Sequence, residues 1–361
     1  MISILILGSG SATPCLSRNP AGILVKAENA SYLVDCGEGT QLQLRKFKES
    51  IQRINQIFIS HLHADHFLGL FGLLSTQGLL GRERSLEVYA PKGMKEIIDV
   101  QLKASGTYLC YDLKVIEIDT KVSALIYETK EIEVHTVPLN HKIDCAGFVF
   151  KEKKKDRKLI PSKIPLYNIP IYMRNKIKQG EDFVTDKGKV IKNSELTENP
   201  PKTYSFAYLS DTKVLKEVPE VVKEVDLLYH EATFLHELLD RANKTYHSTA
   251  LQAAEFAAKA KVGKLILGHF SARYIDLQPF IDEASPVFSN VKFAVDVKNI
   301  FTLPMDSILI SYWIEDASHV KHPLPYARQK PLLVNEVIRD TITFSTLGYS
   351  GINSLWMEVN P

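Results

Sequence analysis

Three histidines and an aspartate occupy six consecutive positions, His61-Leu62-His63-Ala64-Asp65-His66, directly after an apolar run over residues 54–60. In extended backbone, residues two apart project to the same side, so His61 and His63 face one pocket. Asp65 and His66 fall where the next helix begins and turn toward the same space. Neutral imidazoles and carboxylates are suited to Zn²⁺. An accidental cluster on a solvated loop is the competing reading, and four ligand-type residues in six positions at a strand end weigh against it. Two metals need more ligands than this motif supplies. His141, Asp211 and His269 each close a further apolar run, at the strand-end positions where active-site groups are normally grafted. A lone histidine is more often structural, but these three together fill the missing positions, and Asp211 is suited to bridge two ions.

Glu231 and His247 admit two readings of equal weight. They are a carboxylate holding a catalytic histidine, or a surface glutamate and a helix-flanking histidine. His135, His230, His236, His319 and His322 read as structural or solvated. The four cysteines, Cys15, Cys36, Cys110 and Cys145, are scattered without a C-x-x-C pair, so buried free thiols are expected rather than a disulfide framework or a thiolate zinc site.

The elements that must position these groups are strand-like runs over 2–8, 22–27, 31–35, 54–60, 86–90, 113–118, 131–137 and 147–151. The second half adds 204–210, 226–230, 264–268 and 291–297. Helices are expected over 67–80, 94–104 and 249–260, the last opened by Thr249 and Gln252 at capping-box spacing. Hairpins come first, and strand–helix alternation follows. The 361 residues are 45% apolar, enough for a sizeable core, and no run of about 18 uncharged apolar residues exists to cross a membrane. The apolar start lacks a basic leader and reads as a buried strand, which points to the cytoplasm.

Two segments differ from the rest. Residues 151–202 hold fourteen Lys/Arg against seven Asp/Glu, a balance of +7 in a chain whose total is only +2. Such an insert attracts a phosphate backbone; Tyr167, Tyr172 and Phe183 within it could stack on bases or anchor the segment. Residues 305–361 break the strand–helix rhythm and form a tail of unknown role.

The motif over His61–His66 matches the H-x-H-x-D-H signature of the metallo-β-lactamase superfamily. More narrowly, the chain resembles the RNase Z family, endonucleases that mature tRNA 3′ ends. The matching landmarks run in order from Leu7-Gly8-Ser9-Gly10-Ser11-Ala12-Thr13-Pro14 through Asp35-Cys36-Gly37-Glu38-Gly39-Thr40-Gln41, Gly69-Leu70-Phe71-Gly72-Leu73-Leu74 and Tyr89-Ala90-Pro91-Lys92-Gly93. They continue with Ser210-Asp211-Thr212, His230-Glu231-Ala232-Thr233-Phe234, His247-Ser248-Thr249 and His269-Phe270-Ser271-Ala272-Arg273-Tyr274.

The resemblance implies an α/β fold, a four-layer αββα sandwich over residues 1–304, with 151–202 inserted as a tRNA-binding arm. It implies two Zn²⁺ per chain, one on His61, His63 and His141, the other on Asp65, His66 and His269, with Asp211 bridging. Asp65 would orient or deprotonate the attacking water, and His247, aligned by Glu231, would protonate the leaving ribose oxygen. The implied partner is precursor tRNA, and the implied assembly is a homodimer. The arm departs from the family in lacking its Gly-Pro pairs, and residues 305–361 have no family counterpart. Two rival functions remain at this point. One is a superfamily hydrolase acting on a small ester, thioester or phosphodiester; the other is a non-catalytic RNA-binding scaffold.

Overall fold

In strand β1 (Ile2–Gly8), Ile2, Ile4 and Ile6 belong to one apolar layer, while Leu5 and Leu7 belong to another. All five are buried, so this strand is covered on both faces. The alternation of side chains along a strand makes this a statement about architecture: a sheet with two apolar faces lies between two layers. The computed structural model describes residues 2–27, 30–296, 300–302, 307–316, 321–331 and 352–360.

The first sheet continues with β2 (Gly22–Ala27), β3 (Ala30–Val34), β4 (Ile54–Phe58), β5 (Leu86–Pro91) and β6 (Leu113–Ile118). The second holds β7 (Leu125–Glu128), β8 (Ile132–Pro138), β9 (Ala146–Glu152), β10 (Ser205–Leu209), β11 (Leu227–Glu231), β12 (Lys264–Gly268) and β13 (Val291–Phe293). A last strand, β14 (Ile300–Thr302), returns to pair antiparallel with β1. The orders are β14-β1-β2-β3-β4-β5-β6 and β13-β12-β11-β10-β9-β8-β7. Each sheet has an antiparallel half made of hairpins and a parallel half. Parallel neighbours need crossovers, and helices supply all but that between β10 and β11, which holds only a 3₁₀ turn, Glu220–Val222.

Helices α1 (Thr40–Lys46), α3 (Gly69–Leu79) and α4 (Met94–Ser105) cover the outer face of the first sheet through Leu44, Leu70, Leu73, Leu74, Met94 and Ile98. The short α2 (Ala64–Phe67) precedes α3. In the second half, α5 (Leu239–Thr245) is followed by α6 (Ala250–Ala260) and α7 (Gln278–Ala284). The last two cover the second sheet with Ala253, Ala254, Ala257 and Phe280. Between the sheets lies an aromatic layer that includes Tyr32, Phe58, Phe148, Phe150, Phe206, Tyr208 and Tyr229. The result is the four-layer αββα sandwich.

The helix expected over 67–80 is divided. Gly69 opens α3 against the turn after β3, where a Cβ would come 2.0 Å from the Gly37 carbonyl oxygen. That close approach sets the start of α3 and leaves α2 as a separate turn carrying Asp65 and His66. Strands β7 and β14 were not expected from the sequence. The strand expected over 291–297 ends at Phe293, and Val297 lies outside the described residues. Thr249 caps α6 with the full capping box.

The insert between β9 and β10 has more order than its sparse apolar periodicity suggests. It buries Leu159, Ile169, Ile177, Phe183, Ile191 and Leu196 in a small core of its own. The helix Ile171–Lys178 and two short antiparallel pairings frame that core. Phe183 therefore anchors the arm, whereas Tyr172 is 76% exposed. In the tail, Ser307–Asp316 pairs antiparallel with both Lys321–Pro331 and Ile352–Asn360. His319 lies outside the described residues.

Candidate metal centre

The site forms where strands end. His61–His66 follow β4, His141 follows β8, Asp211 follows β10, Glu231 ends β11 and His269 follows β12. In open α/β sheets, the crevice beyond the carboxyl ends of strands is where ligands bind. The loop after β3 braces this edge. Asp35 adopts a left-handed backbone, φ 53°, which turns the chain sharply after the strand. Cys36 N–H then donates to the His66 carbonyl at 2.7 Å, and Gly69 N–H donates to the Cys36 carbonyl at 2.9 Å.

The buried Asp35 carboxylate accepts from Ser60 N–H at 2.7 Å, Ser60 Oγ at 2.8 Å and the Tyr208 hydroxyl at 2.7 Å. It also accepts from His66 Nδ1 at 2.8 Å, which leaves Nε2 of that ring pointing into the site. Ser60 Oγ lies 3.0 Å from His61 Nδ1, so the same network orients a second ring. The carbonyl of Tyr246 does likewise for His141, at 3.0 Å from Nδ1.

His61, His63, His141 and Asp211 form one group of donor atoms and Asp65, His66 and His269 a second; a third, Asp211, His247 and His269, overlaps both; within each group the atoms lie within 4.8 Å of one another. Asp211 joins the first two. Its Oδ2 faces His61 Nε2 at 3.5 Å and His141 Nε2 at 3.8 Å. Its Oδ1 faces His66 Nε2 at 3.5 Å and His269 Nε2 at 3.1 Å. Asp65 Oδ2 lies 3.3 Å from His66 Nε2 and 3.5 Å from His269 Nε2.

The donor set fits metal ions on three counts. Asp65 Oδ2, His66 Nε2 and His269 Nε2 are buried without a hydrogen-bond partner, a costly state unless something positive satisfies them. The ring nitrogens His61 Nε2, His63 Nδ1 and His141 Nε2 approach at 3.0 and 3.2 Å, with His63 Nδ1 shared. Lone pairs crowded this way repel unless a cation lies among them. Finally, burial lowers the pKa of His61 to about 4, and burial also lowers those of His63 and His141. These rings are therefore neutral near pH 7, the form that ligates. Burial opposes charge on Asp65 and Asp211 too, but His66 and His269 overcome it and hold both carboxylates ionised, and against its own burial His66 is in turn held protonated in the metal-free protein by Asp211, Asp35 and Asp65.

Glu231 is fully buried, which excludes the surface reading. Its Oε1 accepts from Thr212 N–H at 3.1 Å, Ser248 N–H at 2.9 Å and His247 Nδ1 at 3.0 Å. Its Oε2 accepts from Thr233 N–H and Oγ1, both at 2.9 Å. Thr233 Oγ1 is also 3.0 Å from His269 Nδ1. One carboxylate thus ties the loops of Asp211, His247 and His269 together. His247 keeps 15% of its side chain exposed beside the two clusters. Burial disfavours its charged form, yet Glu231 prevails and raises its pKa to about 9.

Asp65, Asp211, Glu231, His61, His63, His66, His141, His247 and His269 all meet at this one edge. His135, His230 and His236 do not. His135 pairs with Glu133 at 3.2 Å, His236 Nδ1 lies 3.1 Å from Thr249 Oγ1, and His230 packs on Phe256 away from the clusters. Asp35, Ser60 and Thr233 are the residues whose positioning roles the sequence reasoning passed over. An aspartate after an apolar strand and before a glycine turn was the available signal for the first. The expectation of buried thiols holds for Cys36 and Cys145, but Cys110 is exposed and Cys15 partly so, because both lie on surface loops.

A family model described as Anti-Pycsar protein Apyc1 matches residues 2–159. Ribonuclease Z of Bacteroides fragilis (strain YCH46) is 45% identical over 291 residues, covering 80% of this chain and 95% of that protein. Ribonuclease Z of Cytophaga hutchinsonii is 45% identical over 299 residues, covering 82% and 95%. Among solved structures, the short form of human tRNase Z is similar with a TM-score of 0.60 at 27% identity, covering 84% of this chain and 99% of that one. The metallo-β-lactamase fold protein YhfI from Bacillus subtilis has a TM-score of 0.59 at 17% identity, covering 83% and 98%, a likeness of fold alone. With a strand-end edge that gathers these donors and relatives at this identity over nearly their full length, the chain belongs to the ribonuclease Z family.

Proposed function

We propose that this chain is a zinc-dependent endoribonuclease that cuts the 3′ trailer from precursor tRNA, leaving a 3′-hydroxyl on the tRNA. The observation that carries this reading is Asp211, whose two oxygens face separate donor groups. In support, the relatives are named ribonuclease Z, and the human neighbour is named tRNase Z. One zinc would take His61, His63 and His141, the other Asp65, His66 and His269, with Asp211 serving both. Bound there, the ions supply Lewis acidity and lower the pKa of water toward 7. Asp65 orients the attacking water and accepts its proton. His247, held protonated by Glu231, presents Nε2–H to the departing ribose 3′ oxygen.

The arm, residues 151–202, supplies positive charge for the tRNA backbone at a distance from the cut. Residues 1–304 form the catalytic unit, and 305–361 are an appendage; coverage of 80% of the chain against 95% of a relative supports that division. Among the described residues no helix is long and apolar enough to cross a membrane, and the cytoplasm is the proposed compartment. A homodimer is the proposed assembly. Exposed Leu42 on α1 and Leu79 and Leu80 around the end of α3 support it as surface for a second copy. Light scattering that gives a monomer mass at micromolar concentration rejects the dimer.

The test of function is incubation with a 3′-extended precursor tRNA, with and without a chelator, followed by mapping of both product ends. Chelator-sensitive release of the trailer supports the proposal. Binding without cleavage favours a scaffold, and turnover of a thioester or small diester alone favours the small-substrate hydrolase.

A further inference from the structure

Two cations rest on aromatic residues next to His247. The Lys213 ammonium lies 4.2 Å from the centre of the Tyr246 ring, and the Arg273 guanidinium lies 5.4 Å from that of Phe234. Tyr246 precedes His247 in the chain, and its carbonyl also accepts from His141 Nδ1. The Phe234 ring is 6.2 Å from the His247 ring. Lys213 and Arg273 thus rest on rings that adjoin His247, one through the chain and one through space. Arg273 is exposed and Lys213 partly so. Among the described residues neither forms an ion pair. Among the described residues, the one side-chain hydrogen bond of Arg273 goes from Nε to Ser271 Oγ at 3.0 Å, and its two terminal nitrogens make none.

This arrangement is unlike a solvated surface charge. An aromatic face restrains a cation by its quadrupole but neutralises it far less than a carboxylate does. Each cation is thus held in place with its attraction for an anion intact. A polynucleotide has a phosphate on each side of the linkage being cut, whereas a simple diester has none.

We propose that Lys213 and Arg273 form a two-cation subsite for the phosphates flanking the scissile linkage, so that the site prefers a polyanionic backbone to a lone diester. This deepens the ribonuclease reading above and rests on it. Arg273 would donate a forked pair of hydrogen bonds to one phosphate, and Lys213 would act as a point charge on the other.

The experiment compares the full-length zinc-loaded protein with K213Q and R273Q on two substrates. These are a 3′-extended precursor tRNA and bis(p-nitrophenyl) phosphate. The ratio of their kcat/KM values should fall about tenfold or more in each variant, the effect expected of one charge-assisted hydrogen bond. The slope of log KM against log salt for the RNA should flatten by about 0.7 per lost contact with a single strand. K213R should recover most of the ratio. Neutral methylphosphonates at the two flanking linkages should cost the wild type the same factor. Each variant should then be insensitive to one of them.

Equal losses on both substrates would overturn the proposal, because the side chains would then be supporting His247 rather than the backbone. Unchanged ratios with neutral methylphosphonates would also overturn it, while leaving the ribonuclease reading intact. If the wild type hydrolyses the small diester but leaves the precursor whole, the ribonuclease reading fails and the subsite fails with it.

Discussion

Asp35 Oδ2 accepts from His66 Nδ1 at 2.8 Å, and through Ser60 the same carboxylate reaches His61. A residue outside both donor groups thus sets the tautomer of one ring in each.

Asp35→Asn should therefore weaken both metal sites together. Outer partners of metal-bound histidines typically contribute about 10–100-fold in affinity. Titration of metal-free protein should show both dissociation constants raised. A variant in which only the His66 site weakens would show that the link through Ser60 carries nothing.

Asp211→Ala should abolish hydrolysis and release metal from both groups, since each loses a carboxylate oxygen. Elemental analysis after gel filtration checks this. Two retained zinc ions with normal turnover would remove Asp211 from its assigned role.

His247→Ala should slow cleavage by about 10²–10⁴-fold while metal content stays unchanged. As a general acid His247 must be protonated, so the wild-type rate should fall as pH rises through its pKa. That pKa is raised to about 9 in the metal-free protein, and nearby cations lower it. Glu231→Gln should shift this limb to lower pH. In metal-free protein, the stability contributed by the raised pKa is complete below the unfolded value of about 6.5 and is lost as pH rises toward 9. Denaturant titrations of metal-free wild type and H247A across that window should converge at its alkaline end. Loss of zinc from H247A would instead make this residue a ligand.

Replacing residues 155–199 with a short Gly/Ser linker should reduce precursor cleavage steeply and spare the metal site. The excised segment has its own small core and contributes nothing to the three large ones. Cleavage of a small diester by the same variant should change little. Parallel loss of both activities with zinc would show the arm to be part of the main fold.

The chain's local patterns were enough for many of its strands and helices and for its candidate donors, while the four-layer arrangement came from the family resemblance. The continuous apolar run of β1 and the Ala-rich, Thr249-capped stripe of α6 act over a few residues, so they are readable in line. The same holds for His61–His66, whose spacing places ligands through backbone geometry alone. What required the tertiary structure was every relationship between distant segments. Glu231 and His247 read equally as partners or as surface residues, because whether they meet depends on the packing of β11 against the loop before α6. Asp35 has no ligand-like neighbour in sequence, and its role arises only because the turn after β3 lies against His66. The arm's core was hidden for a similar reason. Six apolar side chains spread from Leu159 to Leu196 have no common period, and they converge only when short turns fold them together. Likewise, Lys213 and Arg273 lie sixty positions apart in line, and only the folded chain brings each onto a ring that adjoins His247.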